Sequence, residues 1–211
     1  MNVKPISAQK MLYLGKQQAH TVMMVAELPA NPALPTNLTT VAEFEEWERL
    51  HGRHGSYEFS RGRIIEKTDM KQAEYLILKF LTRLFAQTSA YAQGDELTPE
   101  MDSYVDGSRK RRPDLAYYTA AQIEATRTGE WQKTRFAIEI LSDSESYEDV
   151  LEKIQDYFDA GAQLVWYVVP NRQKIYVHTS PDTSQAYKGT DVISAAPVVP
   201  DFAFTVADLF A

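Results

Sequence analysis

Phe136-Ala137-Ile138-Glu139-Ile140-Leu141, preceded in the chain by Arg112-Pro113-Asp114-Leu115-Ala116-Tyr117-Tyr118, places one carboxylate in each of two short apolar segments rich in strand formers. A strand normally excludes an acid from a face it buries, because an ionised carboxylate there needs a cation or hydrogen-bond donors. By alternation Asp114 shares a face with Ala116 and Tyr118, and Glu139 with Ala137 and Leu141. The alanines leave space beside both acids. If the two strands are adjacent, the acids converge on one hard cation, since Mg²⁺ takes a couple of carboxylates plus waters and phosphate oxygens. If they are not, each is a strand-end acid facing solvent.

Downstream, Ser146 is a helix cap, Tyr147, Val150, Leu151, Ile154 and Phe158 form an apolar stripe, and Gly161 ends the helix. Lys153 lies at the edge of that stripe, about 100° from Ile154. Two readings stand for it: a lysine leaning toward Glu139 on the sheet, or a salt bridge to Asp149 one turn back. Upstream, Thr40-Val41-Ala42-Glu43 has the form of a capping box, and Phe44, Trp47 and Leu50 continue a short helix to His51. Arg61-Gly62 between Ser56–Phe59 and Arg63–Glu66 predicts a hairpin that carries Glu58. Asp69 and Gln72 offer a second cap, and Ile77, Phe80, Leu81, Leu84 and Phe85 predict a long helix ending near Gln87. Further strands are predicted over Met101–Val105, Leu164–Val169 and Lys174–Thr179, with a last helical turn at Val206–Phe210. Strands and helices interleave while hairpins sit at both ends, which predicts an α/β chain of mixed α+β character, a mixed sheet with helices on its faces. Residues 1–38, punctuated by Pro29, Pro32 and Pro35, read as an arm or partly disordered extension, and 39–211 as one domain.

The 211 residues suffice for one domain with a sizeable core, and 44% hydrophobic and 24% charged residues match a globular chain. The absence of cysteine excludes disulfides, thiolate metal sites and a cysteine nucleophile. Val22-Met23-Met24-Val25-Ala26 is too short for a secretory core or a membrane span, so a soluble cytoplasmic protein with no membrane partner is expected. His20, His51, His54 and His178 show no metal-ligand spacing, and no Gly-Xaa-Ser-Xaa-Gly elbow or phosphate-binding glycine loop occurs. Trp131, Trp166 and the tyrosines sit in strand-like apolar runs and read as packing. The net charge of −7 works against indiscriminate attraction to nucleic acid. Arg109-Lys110-Arg111-Arg112 gathers four cations just before Asp114, either a solvated loop or a guide for a polyanion.

Pro113-Asp114, Glu139 and a lysine displaced to Lys153 resemble the PD-(D/E)XK nuclease superfamily. More closely, Tyr57-Glu58-Phe59, Arg63–Glu66, Arg112-Pro113-Asp114, Glu139–Ser142, Glu152-Lys153-Ile154 with Tyr157, Phe158 and Gly161, and Leu164–Pro170 resemble the Uma family of restriction endonucleases, over roughly residues 40–211. Asp191-Val192-Ile193, Val199–Phe202 and Leu209-Phe210 fit its closing pattern. The resemblance implies a restriction-endonuclease-like core, with Glu58, Asp114 and Glu139 around a Mg²⁺ ion, Mn²⁺ serving as well, and Lys153 in place of the usual lysine two residues after the acid. That usual position is Leu141. A polar residue, often histidine, is expected early in the long helix, where this chain has Ala73 and Glu74.

The expected activity is hydrolysis of a DNA phosphodiester by a metal-activated water, by an enzyme acting as a homodimer. Asp114 and Glu139 are the expected ligands, Glu58 a further ligand or water anchor, and Lys153 the positioner and charge stabiliser. Arg109, Lys110, Arg111 and Arg112 would steer the nucleic-acid backbone, and Ser142 and Gln155 would touch phosphate or a nearby water. The alternatives are a catalytically silent nucleic-acid-binding or interaction module on the same fold, and a hydrolase of RNA or another phosphate ester.

Overall fold

The computed structural model describes residues 34–52, 55–68, 70–142 and 145–211. The expected arm before residue 39 lies outside these, apart from residues 34–38, as does the cap candidate Asp69. Helix α1 (Val41–His51) begins as its sequence dictates: Glu43 N–H donates to the Thr40 hydroxyl at 3.2 Å and Thr40 N–H to the Glu43 carboxylate at 3.0 Å. Its Phe44 stacks on Phe59 of strand β1 (Ser56–Ser60), ring centres 5.2 Å apart. β1 turns into β2 (Arg63–Lys67) through Arg61 and Gly62, both left-handed with φ of 49° and 84°, the pair that a two-residue hairpin requires. Helix α2 (Gln72–Phe85) buries Ile77, Leu78, Leu81 and Phe85. Its cap position is Lys71, whose N–H donates to Glu74 at 2.8 Å. Glu74 thus spends its carboxylate on the helix start, where the resemblance implies a polar residue, often histidine.

A short helix α3 (Ser89–Ala92) leads to β3 (Glu96–Pro99), β4 (Ser103–Asp106), β5 (Arg109–Arg111) and β6 (Leu115–Tyr118). The single strand expected over Arg112–Tyr118 is therefore broken. Pro113 has no N–H to give a ladder, and Arg112 N–H donates to Glu58 Oε1 at 3.1 Å instead. Residues 112–114 carry the chain from one sheet to the next. Helix α4 (Ala120–Thr126), β7 (Phe136–Ile140), α5 (Tyr147–Asp159), β8 (Leu164–Val169), β9 (Lys174–Ser180), β10 (Thr183–Lys188), β11 (Val192–Ala195), β12 (Val199–Thr205) and α6 (Val206–Leu209) complete the described chain.

One sheet has the order β2-β1-β5-β4, a second β10-β9-β8-β7-β6-β3, and β11 pairs with β12. Among the described strands β7 and β8 are the pair that runs parallel, the pairing that needs a crossover, and α5 supplies it. This is the expected mixed sheet with helices on its faces. Phe136, Ile138 and Ile140 join the larger core with Leu81, Trp166 and Phe202, while Ala137 packs on the other face with Ile154, Tyr157 and Tyr167. The period of two that buries β7 on both sides thus puts Glu139 under α5. β10 escaped the sequence because Thr183-Ser184-Gln185-Ala186-Tyr187-Lys188 is an exposed edge with no apolar alternation, ordered by pairing with β9.

Candidate active site

β6 and β7 are antiparallel neighbours with Leu115 opposite Ile138 and Ala116 opposite Ala137, so one further step brings Asp114 beside Glu139. Asp114 Oδ2 accepts Ile140 N–H at 2.7 Å, and its Oδ1 accepts the Lys67 ammonium at 2.9 Å. Glu139 is 2% exposed; one of its oxygens accepts the Tyr157 hydroxyl, and the other lies 3.8 Å from Lys153 Nζ. Burial drives the Glu139 carboxyl upward; Lys153 opposes it, Asp114 adds to it, and the result is a pKa of about 8.

Lys153 projects from α5 into this cluster. Its ammonium bonds Glu145 at 2.9 Å and lies 3.7 Å from Glu58 and 3.8 Å from Glu139. Burial depresses its pKa, but Glu139, Glu58 and Glu145 outweigh that and hold it well above the ordinary lysine value. Asp149, the other partner considered, accepts the Ser146 hydroxyl at 2.6 Å. Lys67 is likewise kept charged: burial lowers its pKa, and Asp114, Glu139 and Glu58 raise it further than burial takes it down.

Glu58 comes to the same place with its oxygens already engaged. Oε2 pairs with Arg111 at 3.1 Å and Oε1 accepts Arg112 N–H at 3.1 Å. Burial raises its pKa, but Lys153, Arg111 and Lys67 bring it below the usual carboxylate value. Glu58 of the expected three-acid set thus reaches the cleft already paired with Arg111 and near Lys153, and among the described residues no three acids or histidines are grouped closely enough to hold an ion. The guanidinium behind Glu58 has taken its charge.

The basic run, expected to guide nucleic acid, is engaged in ion pairs within the chain. Arg109 pairs with Asp106, Asp156 and Asp159, each at 2.6 Å. Lys110 pairs with Glu48 and Asp102 at 2.9 Å and lies over the Phe44 ring, while Arg112 pairs with Asp102 at 2.6 Å and Glu48 at 3.1 Å. Arg111 is 1% exposed and clamps Asp156 at 2.5 Å. These cations neutralise acids of the chain itself. Gln155 donates to Asp159 at 2.8 Å on the exposed side of α5 and does not line the cleft; Ser142 does.

The cleft has a volume of about 310 Å³ and is lined by Asp114, Glu139, Lys153, Lys67, Glu145 and Ser142, among others. Asp114 and Glu139 are hard oxygen donors side by side, and Glu139 resists ionisation until a further cation lies beside it, so the pair suits a Mg²⁺ or Mn²⁺ ion completed by waters. Tyr157 and Glu145 are polar partners that the sequence does not single out, because Tyr157 adjoins the apolar stripe at Phe158 and Glu145 precedes the helix cap. Lys67 was missed although the hairpin register held the signal. Ser56 faces Lys67 and Glu58 faces Ile65, which puts Lys67 on the Glu58 side of the hairpin.

The fold is shared with a solved structure. It is similar to the crystal structure, at 1.96 Å resolution, of a putative nuclease belonging to DUF820 from Anabaena variabilis ATCC 29413, with a TM-score of 0.65, 20% identity, and coverage of 79% of this chain and 96% of that one. Residues 41–207 match the model of the Uma2 family, described as "putative restriction endonuclease", and the chain belongs to that family. No curated protein matches it. No described helix is long and apolar enough to cross a membrane.

Proposed function

We propose that the chain is a divalent-metal-dependent endonuclease that hydrolyses DNA phosphodiester bonds at the cleft between Asp114, Glu139 and Lys153. The observation that carries this is the meeting of two carboxylates from neighbouring strands with a buried ammonium from the crossover helix. Asp114 and Glu139 would hold the ion, which when bound supplies acidification of a water and polarisation of the phosphate. Tyr157 and the Ile140 N–H fix the two carboxylates in orientation. Lys153 donates toward the attacking water and offsets charge gathering on the phosphate oxygens. The water oxygen would bond to phosphorus and release a proton to solvent, the bond from phosphorus to the leaving sugar oxygen would break, and that oxygen would take up a proton from solvent. Glu58 acts from behind, fixing Lys153 and Arg111.

Cutting both strands of a duplex calls for two copies, so the active form is a homodimer working in the cytoplasm, with the segment before residue 39 as an arm. Supercoiled plasmid incubated with the protein and Mg²⁺ or Mn²⁺ is nicked, and Asp114→Ala and Glu139→Ala abolish the nicking. Nicking that persists unchanged in both variants sinks the proposal; a matched RNA substrate separates the two nucleic acids.

A further inference from the structure

Among the described residues Lys67 is the cation that pairs with Asp114, and neither the family match nor the expected mechanism assigns it a role. Its ammonium donates to Asp114 Oδ1 at 2.9 Å and to the Arg112 carbonyl at 2.7 Å, while the other Asp114 oxygen is held by Ile140 N–H. Both oxygens of the more accessible acid are thus occupied, one of them by a positive charge. The contact is well sheltered, with the Lys67 side chain 11% exposed and that of Asp114 21%. Lys67 is also well placed to let go. It ends β2, an edge strand paired only with β1, and its side chain lines the cleft. Arg111, by contrast, lies in the inner strand β5 and is clamped by Asp156, Glu58 and Glu152.

We propose that Lys67 is a built-in competitor for the divalent ion, an internal cation seated on Asp114 that the metal must displace to bind. This rests on the assignment of Asp114 and Glu139 as ligands. The ammonium supplies the positive charge on Asp114 Oδ1 in the metal-free protein, so a dication approaching that oxygen meets a like charge already seated there. Metal affinity is therefore set by Lys67 as well as by the acids. Once displaced, the ammonium stays in the cleft, where it is available to a phosphate oxygen, so metal and nucleic acid favour each other's binding.

Calorimetric titration of the full chain with Mn²⁺ tests this in the wild type, Lys67→Gln, Lys67→Met and Asp114→Asn. The glutamine amide still donates to the Arg112 carbonyl but carries no charge. Lys67→Gln is expected to bind Mn²⁺ roughly tenfold more tightly, the scale of an ordinary coupling between two ligands of one protein, and Asp114→Asn to lose the binding. If the wild type binds in an Asp114-dependent way and both uncharged variants bind equally or more weakly, the competitor role is overturned while the metal site stands. If neither the wild type nor Lys67→Gln shows Asp114-dependent binding, the metal site falls and this inference with it. In the unsubstituted protein, Mg²⁺ should raise the acetylation of Lys67 by an amine-reactive reagent several-fold, as read by peptide mass spectrometry; unchanged labelling at saturating Mg²⁺ overturns displacement.

Discussion

Arg111→Met separates two roles for the basic run that leave opposite signatures. Arg111 donates to Asp156 through Nε at 2.8 Å and Nη2 at 2.5 Å, to Glu58 at 3.1 Å and to Glu152 at 3.0 Å. Methionine fills much of the volume and removes the charge. Asp156 keeps Arg109 at 2.6 Å and Arg61 at 3.0 Å, so the loss falls mainly on Glu58, which is fully buried and retains Lys153 at 3.7 Å, the Arg112 N–H and the more distant charge of Lys67. Breaking one side of a buried ion pair costs about 3–5 kcal/mol, and because Asp156 remains compensated the lower end, about 3 kcal/mol, is expected. Urea unfolding measures it. Adding Glu58→Gln to Arg111→Met removes the stranded charge and should restore about 1 kcal/mol or more, a coupling typical of contacting residues. A loss below about 0.5 kcal/mol, in the range of ordinary surface substitutions, together with a fall of about one in the salt slope of DNA affinity, would refute this account and make Arg111 a phosphate contact.

Glu139 makes the metal-free protein sensitive to pH. Its folded pKa of about 8 lies above the ordinary 4.5, so between those values the native state holds a proton that the unfolded chain has lost. Its contribution to stability is fully present below pH 4.5 and is lost as the pH rises through about 8. Unfolding in EDTA should show Glu139→Gln gaining on the wild type by up to roughly 5 kcal/mol across that window; a constant difference between the two proteins would contradict the shift. At the hairpin, Gly62 has φ of 84°, and a Cβ there would meet the Leu38 carbonyl at 3.2 Å. Gly62→Ala should therefore destabilise by about 1–2 kcal/mol in urea unfolding, and a neutral outcome would mean that the turn rearranges freely.

Local signals carried much of the fold. The Thr40 capping box, the Arg61-Gly62 turn, the Ser146 cap and Gly161 all act over a few residues, and α1, the first hairpin and α5 sit where those signals put them. The alternation in Phe136–Ile140 likewise assigned Glu139 to the face it shares with Ala137. The sequence reading did not single out α3, α4, β3, β11 or β12: β3 is ordered by pairing with β6 farther along the chain, whereas the Thr88 cap of α3, the Thr119 and Gln122 capping box of α4 and the pairing of β11 with β12 are local features that carry no strong apolar periodicity.

The candidate site divides in the same way. Sequence alone supplied an acid in each of two apolar segments and a lysine at the edge of a helical stripe, since side-chain parity is a property of the backbone. Which charges would meet was settled only by tertiary structure. Glu58 is turned to Arg111, the run Arg109–Arg112 is spent on Asp102, Asp106, Asp156 and Glu48, and Lys67 is brought to Asp114 from the edge of another sheet. Coulomb interaction acts through space and not along the chain, so ionic partners 45 or more positions apart, as Lys67 is from the Arg112 carbonyl it also holds, leave no trace in local spacing.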